Sequence, residues 1–372
     1  MRVRKQIKGK ILAKLILHIG PGKCGSSSIQ GFLATHENLF LQRVTYKMMD
    51  PLEISKLNDQ ELDSSIKDLF NQQLIKDING CDILILSHES LAKNIYAIKN
   101  ICYLSKNLVS NITIIGYARK QSGFLISAYS QWLFRSPERI NEVMNTVKTF
   151  GIDTLLFTGV ENQIIASILN NFYSARQLSG HTIFDWHTLY HEIYELVNEM
   201  DVVIRSGVLP NKTSDITLVQ DFCLKADLTL SDKSNDGFLK VYNSSFDQNI
   251  VEAINNGVML GFNMPRPHKD NMIISHLSSE IDSVAHDSNE FLLKLKAYID
   301  TYYLDANKQF CKKYNINKSY FEPSEKLTKS EILEVILEEN RTRSLNKSII
   351  INKYRTLSAQ LVELCIKLSK TN

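Results

Sequence analysis

The sequence predicts an α/β fold in which a parallel β-sheet is flanked by helices. Up to about residue 225, apolar segments of strand length alternate with longer segments whose apolar residues recur at helical spacing. The apolar segments are continuous rather than alternating with polar residues, which is typical of strands covered on both faces. From about Asn249 onward only helical patterns appear. This order favours one parallel sheet followed by a helical C-terminal extension.

Each element has its own local signal. The first strand is apolar at 15–17 and at Ile19, and three serines open the helix that follows it. Pattern and length predict strands at 14–19, 44–46, 82–87, 112–118 and 201–205, helices at 26–36, 59–77, 95–108, 122–134 and 215–225, and a mostly helical region over 138–199. We expect one domain over 1–325 and a helical extension over 326–372 packed on it. A homodimer contact is the alternative role of the extension.

Composition restricts the class of protein. The chain has 372 residues, of which 44% are hydrophobic and 22% charged, and this predicts a soluble globular protein with a sizeable core. The formal net charge of +3 is too small to indicate a nucleic-acid partner. Because no run of about 18 apolar residues is present, no transmembrane segment is expected.

The cysteines and the first residues both favour a cytoplasmic location. The six cysteines are scattered without a C-x-x-C pair, which favours reduced thiols over a disulfide framework. The chain begins with basic residues and then becomes apolar, as a signal peptide does. However, Lys14 interrupts the apolar part, and that part is the first sheet strand. Cleavage would remove this strand, so we do not expect a signal peptide.

The most informative segment is LILHIGPGKCGSSSIQGFL, residues 15–33. Three glycines allow the backbone to bend sharply and to approach a ligand closely: Gly20, Gly22 and Gly25. Three serines are expected to cap the next helix: Ser26, Ser27 and Ser28. The free N–H groups and dipole of that helix, with the charge of Lys23, form an anion site. The segment therefore predicts a cradle for a phosphate or sulfate group.

The position of the lysine separates this loop from the nucleoside-triphosphate loop. That loop is spelled G-x-x-x-x-G-K-[ST], whereas here Ser26 follows Gly25 and the lysine lies inside the loop, at Lys23. The segment resembles the 5′-phosphosulfate loop of sulfotransferases that use 3′-phosphoadenosine 5′-phosphosulfate (PAPS), P-K-[TS]-G-[TS]-[TS]-[TS]. Gly22 replaces the proline and Cys24 replaces a threonine, while Lys23, Gly25 and the three serines match.

A second motif lies where another strand runs into a helix, over 111–134. Arg119 follows the strand, and Ser127 comes eight residues later on the helix. A guanidinium binds a phosphate bidentately, and a serine hydroxyl can complete such a site. The pair resembles the 3′-phosphate element of PAPS sulfotransferases. Its form, R-x-Q-x-x-x-x-x-S-x-Y-x-Q-W, resembles the bacterial carbohydrate sulfotransferase-like branch.

The resemblance continues more weakly to about residue 320. The strand over 82–87 is followed by His88 and Glu89, and a similar segment in related sulfotransferases carries the glutamate that acts as the base. Fainter likenesses occur around Asp221, around Asn243 and in the helix from Leu304. The resemblance thus covers about residues 12–320 and is specific in the first 135.

The resemblance implies a P-loop-type sulfotransferase fold and transfer of a sulfuryl group from PAPS to a hydroxyl, leaving adenosine 3′,5′-bisphosphate. Lys23 would stabilise the transition state, with Glu89 as the first choice of base and His88 as the second. The implied cofactor-binding residues are Gly22, Lys23, Cys24, Gly25, Ser26, Ser27, Ser28, Arg119 and Ser127. The acceptor is expected to be a small molecule or glycan precursor, with 263–271 as a candidate wall of its site. No metal is expected, because lysine and backbone amides replace the Mg²⁺ of kinases.

Two other functions stay open on the sequence alone. A P-loop kinase acting on a nucleotide or small molecule needs a lysine at the triphosphate position and a Mg²⁺-binding aspartate after a strand, and neither is evident. The other alternative is a non-catalytic nucleotide-binding protein of the same fold. Such a protein would not need all four of Lys23, Glu89, Arg119 and Ser127, so their joint presence speaks against it.

Two further features are expected to be structural. Cys24 lies near Lys23 and a helix N-terminus, a position that favours a lowered thiol pKa. The favoured interpretation, however, is that Cys24 is simply a small residue that replaces a threonine of the motif. His187 and His191 are four apart on a predicted helix, a spacing that can bind zinc. No third ligand is evident, so zinc is not expected.

Overall fold

The computed structural model describes residues 6–7, 10–130, 137–172, 185–210, 216–230, 251–252 and 290–371. These residues contain a five-stranded parallel sheet, whose strands are β1 (Lys14–His18), β2 (Val44–Met48), β3 (Ile83–Ser87), β4 (Ile112–Ala118) and β5 (Val202–Val208). Two short strands ahead of it, Gln6–Ile7 and Lys10–Ile11, pair with each other in antiparallel fashion. The predicted parallel sheet is confirmed.

The central strand of the sheet is β1. The spatial order is β2-β3-β1-β4-β5, and every neighbouring pair is parallel. In this register Leu17 pairs with Leu86 of β3 and with Ile114 of β4. The connection after β1 leads towards β2 and that after β4 leads towards β5, so the strand order reverses between β1 and β4. Ligands of open parallel sheets bind at the carboxyl ends of strands at such a point. The arrangement is consistent with a P-loop-type α/β fold.

Helices flank the sheet, and further helices occur elsewhere in the described chain. They are α1 (Ser26–Thr35), α2 (Pro51–Leu57), α3 (Ser64–Ile78), α4 (Ile95–Ser105), α5 (Gln121–Ser130), α6 (Pro137–Thr149), α7 (Gly159–Leu169), α8 (Trp186–Val197), α9 (Leu218–Ala226), α10 (Glu290–Tyr302), α11 (Leu304–Tyr314), α12 (Lys329–Ser344) and α13 (Lys347–Thr371). Near the sheet, α9 packs on α1, while α2, α3 and α8 pack on α4.

The core lies along β1, β3 and β4. Every residue of β3 and of β4 is buried, and Leu15, Ile16 and Leu17 of β1 have no exposed surface. Full burial of a leucine or isoleucine side chain contributes roughly 1.5–3 kcal/mol relative to exposure. The continuous apolar runs in the sequence are therefore strands covered on both faces, and this holds the carboxyl edge of the sheet in place.

Helix α2 was not predicted, and two other helices begin later than expected. Asp50 is the N-cap of α2, where its Oδ1 accepts from Leu52 N at 2.7 Å, and Pro51 occupies the first helical position. This Asp-Pro pair is a helix-start signal that apolar periodicity alone does not show. Helix α3 begins at Ser64 because Asp63 caps it, and α9 begins at Leu218 because Thr217 and Gln220 form a capping box at its N-terminus.

Some predictions fall outside the described residues. The predicted helix over 122–134 is α5 as far as Ser130, and 131–136 are not described. The predicted loop over 263–271 and the motif around Asn243 are also outside the described ranges.

The chain divides into two compact units. The first consists of Met1–Arg119, Thr182–Asn243 and Asp305–Tyr320, and it contains the sheet. The second consists of Lys120–His181, Ser244–Leu304 and Phe321–Asn372.

The second unit is helical in its described residues and is held partly by a buried ion pair. Arg343 Nη1 and Nη2 donate to the two carboxylate oxygens of the fully buried Glu161, at 2.9 and 3.0 Å. The C-terminal helices α12 and α13 belong to this unit, and the domain boundary at residue 325 stays a prediction. Among the described helices, none has both the length and the apolar character needed to cross a membrane.

Candidate functional site

The turn between β1 and α1 has an unusual backbone. Lys23 has a φ of 67° and Gly25 a φ of 87°, so both residues adopt the left-handed conformation. For Gly25 this is sterically free, but for Lys23 it carries a cost of order 1–2 kcal/mol. A methyl group built on Gly25 would overlap Leu218 Cδ2 of α9 and lie 2.9 Å from Leu209 Cδ1. Tight packing on the loop therefore requires a glycine here, two residues beyond the strained lysine.

The three serines do not cap α1 as the sequence predicted. The N-cap residue is Gly25, and no side chain of the described chain makes the capping hydrogen bond. Instead, Ser26 Oγ donates back to the carbonyl oxygens of Gly20 and Pro21, at 3.1 and 3.2 Å. The prediction was wrong because a left-handed glycine, rather than a serine, enters the helix. The first N–H groups of a helix have no acceptor inside it, so these groups and the helix dipole point into the loop.

Three charged residues from the ends of adjacent strands meet at this loop. Arg119 follows β4, and its Nη1 donates to the carbonyl oxygen of Lys23 at 3.2 Å. Glu89 follows β3, and its Oε2 would lie 3.1 Å from a methyl group built on Gly22. Lys23 is half-buried between them. Burial lowers the pKa of Lys23, with a further lowering by Arg119 and an opposing effect of Glu89.

Arg119 is positioned by its own backbone. Its carbonyl oxygen accepts from Trp186 Nε1 of α8 at 2.8 Å, and Trp186 is fully buried. On the preceding residue, the carbonyl of Ala118 accepts from Leu209 N at 3.0 Å. The buried Ser127 lies on α5, in the second unit, so its predicted pairing with Arg119 stays a prediction.

His88 and Glu89 have different surroundings. His88 is the N-cap of a short 3₁₀ helix, Glu89–Lys93, where its Nδ1 accepts from Ser90 N at 3.0 Å. A ring nitrogen that accepts from a backbone N–H is unprotonated, so the neutral ring carries its proton on Nε2 and presents a donor there. Glu89 is exposed. Of the two candidates, only Glu89 therefore presents a free acceptor for a proton.

Cys24 is a buried structural residue. Its side chain has no exposed surface, and burial raises the pKa of the thiol to about 12, against an opposing effect of Arg119. The position beside Lys23 and a helix N-terminus does not lower the pKa of Cys24, because desolvation of the thiolate is the largest effect on it.

The structure adds His18, which the sequence analysis missed. It is the last residue of β1 and is 1% exposed. Its Nδ1 lies 2.8 Å from Ser87 Oγ at the end of β3, and Gln30 Nε2 of α1 donates to the same hydroxyl at 3.1 Å. Burial lowers the pKa of His18 to about 3, so the ring is neutral at working pH. The only signal in the sequence was a histidine two residues before Gly20, in a strand whose other residues predict a buried core strand.

Two other motifs have structural surroundings. Asp221 on α9 accepts from Tyr117 of β4 and from Lys225, each at 2.7 Å, which fixes the helix that packs on Gly25. The rings of His187 and His191 stack with centroids 5.9 Å apart. In the part of the chain that the structure describes, no group of three or more His, Cys, Asp or Glu residues is arranged to hold a metal ion.

The fold is an α/β fold with a glycine-rich loop after the central strand of a parallel sheet. No protein-family model matches the chain, and searches of curated proteins and of solved structures found no match.

Proposed function

We propose that this protein is a PAPS-dependent sulfotransferase that acts on a hydroxyl of a carbohydrate or glycan precursor. The observation that carries the proposal is the position of Lys23. This lysine lies inside the loop, with Arg119 on its carbonyl and Glu89 beside the same turn. A sulfuryl transferase needs a cation at the leaving oxygen, an anchor for the nucleotide and a base for the acceptor, and these three residue types supply them.

PAPS would supply the sulfuryl group, with adenosine 3′,5′-bisphosphate as the leaving product. Lys23 and the N–H groups that open α1 would stabilise the charge that develops on the leaving oxygens. The Ser26 hydroxyl is already engaged with the Gly20 and Pro21 carbonyls, so this residue would contribute its backbone N–H. The side chains of Ser27 and Ser28 are partly exposed, and their hydroxyls are the ones available to the 5′ group.

Glu89 would take the proton of the acceptor hydroxyl, whose pKa is far above 7. It follows a fully buried strand, which fixes its backbone, and it leads a short helix that His88 caps. His88 therefore supports the geometry of Glu89 rather than competing for the proton. Arg119 carries more N–H donors than the one it gives to Lys23, and these would hold the 3′-phosphate, with Ser127 as its predicted partner.

The proposal is tested by a transfer assay with the full chain, radiolabelled PAPS and a panel of oligosaccharide acceptors. We expect label to move to an acceptor in the absence of added metal, and the Lys23→Ala variant to lose this activity. Phosphate transfer from ATP–Mg²⁺ without sulfate transfer would favour a kinase. Tight binding of adenosine 3′,5′-bisphosphate without transfer to any acceptor would favour a non-catalytic nucleotide-binding protein.

A further inference from the structure

The side chain of His18 has a buried nitrogen, Nε2, that lacks a hydrogen-bond partner in the part of the chain that the structure describes. Its Nε2 is enclosed and has no hydrogen-bond partner among the described residues, although Nδ1 is bonded to Ser87. Leaving a buried donor or acceptor without a partner is unfavourable, and native structures retain few such groups. The buried imidazole also makes a T-shaped contact with the ring of Phe222, with centroids 5.3 Å apart and the planes inclined by 70°.

The hydrogen-bond chain allows the ring to carry its proton on Nε2. Gln30 Nε2 can only donate, so Ser87 Oγ accepts from it at 3.1 Å. The Ser87 hydroxyl proton is then available for His18 Nδ1, 2.8 Å away. With Nδ1 as an acceptor, the neutral imidazole carries its proton on Nε2. In this tautomer, on which the proposal below rests, the unsatisfied atom is an N–H donor.

This donor faces the inner side of the loop between β1 and α1, residues 19–25, which is called the anion loop below. A methyl group built on Gly20 would lie 2.9 Å from His18 Nε2 and would overlap Ser26 Oγ, so both atoms border the same small space. Ser26 gives its one hydroxyl proton to the Gly20 or Pro21 carbonyl and keeps lone pairs that can accept. An unsatisfied donor and an available acceptor thus flank Gly20.

We propose that His18 is a positioning residue of the anion loop, and that its Nε2–H donates to Ser26 Oγ when the loop closes on a bound anion. The bond would fix the Ser26 hydroxyl, which holds the Gly20 and Pro21 carbonyls on the inner side of the loop. Because carbonyl and N–H point in opposite directions across a trans peptide, the Gly22 N–H is then turned outward. This inference rests on the anion site of the proposed function and names the residue that organises it.

Two substitutions separate this role from a structural one. In His18→Gln the amide N–H can reach the position of Nε2 but the Nδ1 acceptor is lost, whereas His18→Asn keeps a polar atom near Nδ1 and has none near Nε2. We expect the affinity for adenosine 3′,5′-bisphosphate, measured by calorimetry, to fall about tenfold in His18→Asn and to return to within about threefold of wild type in His18→Gln. A role limited to the Ser87 contact predicts the reverse order and would overturn the proposal. Urea unfolding of both variants checks that they are folded.

The partner residue gives a second readout. Ser26→Ala should weaken binding by a similar factor, and the double variant His18→Asn/Ser26→Ala should be no worse than either single variant, since both remove the same bond. Additive losses would overturn the proposal. In wild type, the imidazole Nε2–H resonance in ¹⁵N NMR should shift on addition of the bisphosphate, and an unchanged resonance at saturation would contradict bond formation.

Inorganic sulfate and phosphate distinguish failure of this inference from failure of the proposed function. If wild type binds these ions but has no preference for the bisphosphate, the sulfotransferase proposal fails, and the His18→Asn and His18→Gln comparison repeated with sulfate still decides the role of His18. If wild type prefers the bisphosphate and both variants bind it as wild type does, the function stands and the inference about His18 is wrong.

Discussion

Lys23 is the residue on which the proposed chemistry depends. Replacing it with alanine should lower the turnover of sulfate transfer by roughly 10²–10³, the scale for loss of one transition-state charge stabiliser, and should weaken bisphosphate binding less. Lys23→Gly should be equally inactive and at least as stable to urea, because glycine relieves the left-handed strain at a φ of 67°. Lys93→Ala is the matched control, since Lys93 is another lysine within electrostatic reach of Glu89 but lies outside the loop. Unchanged turnover in Lys23→Ala would contradict the assignment.

The base assignment distinguishes two neighbouring residues. Glu89→Gln keeps the shape of the side chain and removes its proton acceptor, so the rate should fall by roughly 10²–10⁴ with bisphosphate affinity intact. His88→Asn should cost much less, because asparagine is also a good N-cap and can keep the bond to Ser90 N. Steady-state kinetics with PAPS compare the two variants. If His88→Asn is the crippling change and Glu89→Gln is mild, the roles are reversed.

Acid stability reports the burial of His18. Its pKa is about 3 in the folded protein against 6.5 for an ordinary histidine, so below about pH 6.5 the unfolded chain binds a proton that the native protein does not. The free energy of unfolding should therefore fall with decreasing pH, by about 1.4 kcal/mol for each unit between pH 6.5 and 3. Urea unfolding near pH 7.5 and pH 5.5 measures the loss. The His18→Gln variant should lack this part of the loss, and an equal loss in both proteins would show that His18 is not the cause.

At the scale of elements, the packing of α9 on the loop makes Gly25 a sensitive position. Gly25 and Gly80 both have positive φ, 87° and 83°, but a methyl group on Gly80 meets nothing within 4 Å, whereas on Gly25 it overlaps Leu218. Gly80→Ala should lose about 1–2 kcal/mol of unfolding free energy from strain alone. Gly25→Ala should lose about 1–3 kcal/mol more from overpacking and should no longer bind bisphosphate. Similar losses in the two variants would show that α9 does not pack on the loop as described.

The elements also show what sequence reasoning can reach. The strands β1, β3 and β4 were predictable because strands buried on both faces leave continuous apolar runs. Helix α2 was missed because it is short and its signal is a capping pair, Asp50 and Pro51, rather than a periodic apolar face. The cap of α1 was misassigned to serines because Gly25 enters the helix in the left-handed conformation, and its tight packing against Leu209 and Leu218, which lie far away in sequence, leaves no room for a side chain.

At the scale of the whole molecule, the sheet order explains why the candidate site could be found in part. Lys23, Glu89 and Arg119 each follow a predicted strand, and a parallel sheet brings such residues to one edge, so their proximity was predictable. The place of β1 between β3 and β4 was not, because strand order is set by long-range pairing. The burial of individual side chains could not be predicted from the sequence either. The pKa of Cys24 is raised rather than lowered, and the contact of His18 with Ser87, which also accepts from Gln30, is encoded by no local pattern.

Calorimetry of the full chain with adenosine 3′,5′-bisphosphate, adenosine 5′-phosphate and ATP–Mg²⁺ tests the central claim most directly. We expect the bisphosphate to bind tighter than the 5′-phosphate by about 1.5–3 kcal/mol, the range for charge-assisted hydrogen bonds to one phosphate, and tighter than ATP–Mg²⁺. Arg119→Ala should abolish this preference, although both ligands should lose some affinity because Arg119 also donates to the Lys23 carbonyl. Arg43→Ala, which removes the same charge from an exposed pair with Asp82, should keep the preference. Tighter binding of ATP–Mg²⁺, or a preference that survives Arg119→Ala, would contradict the account.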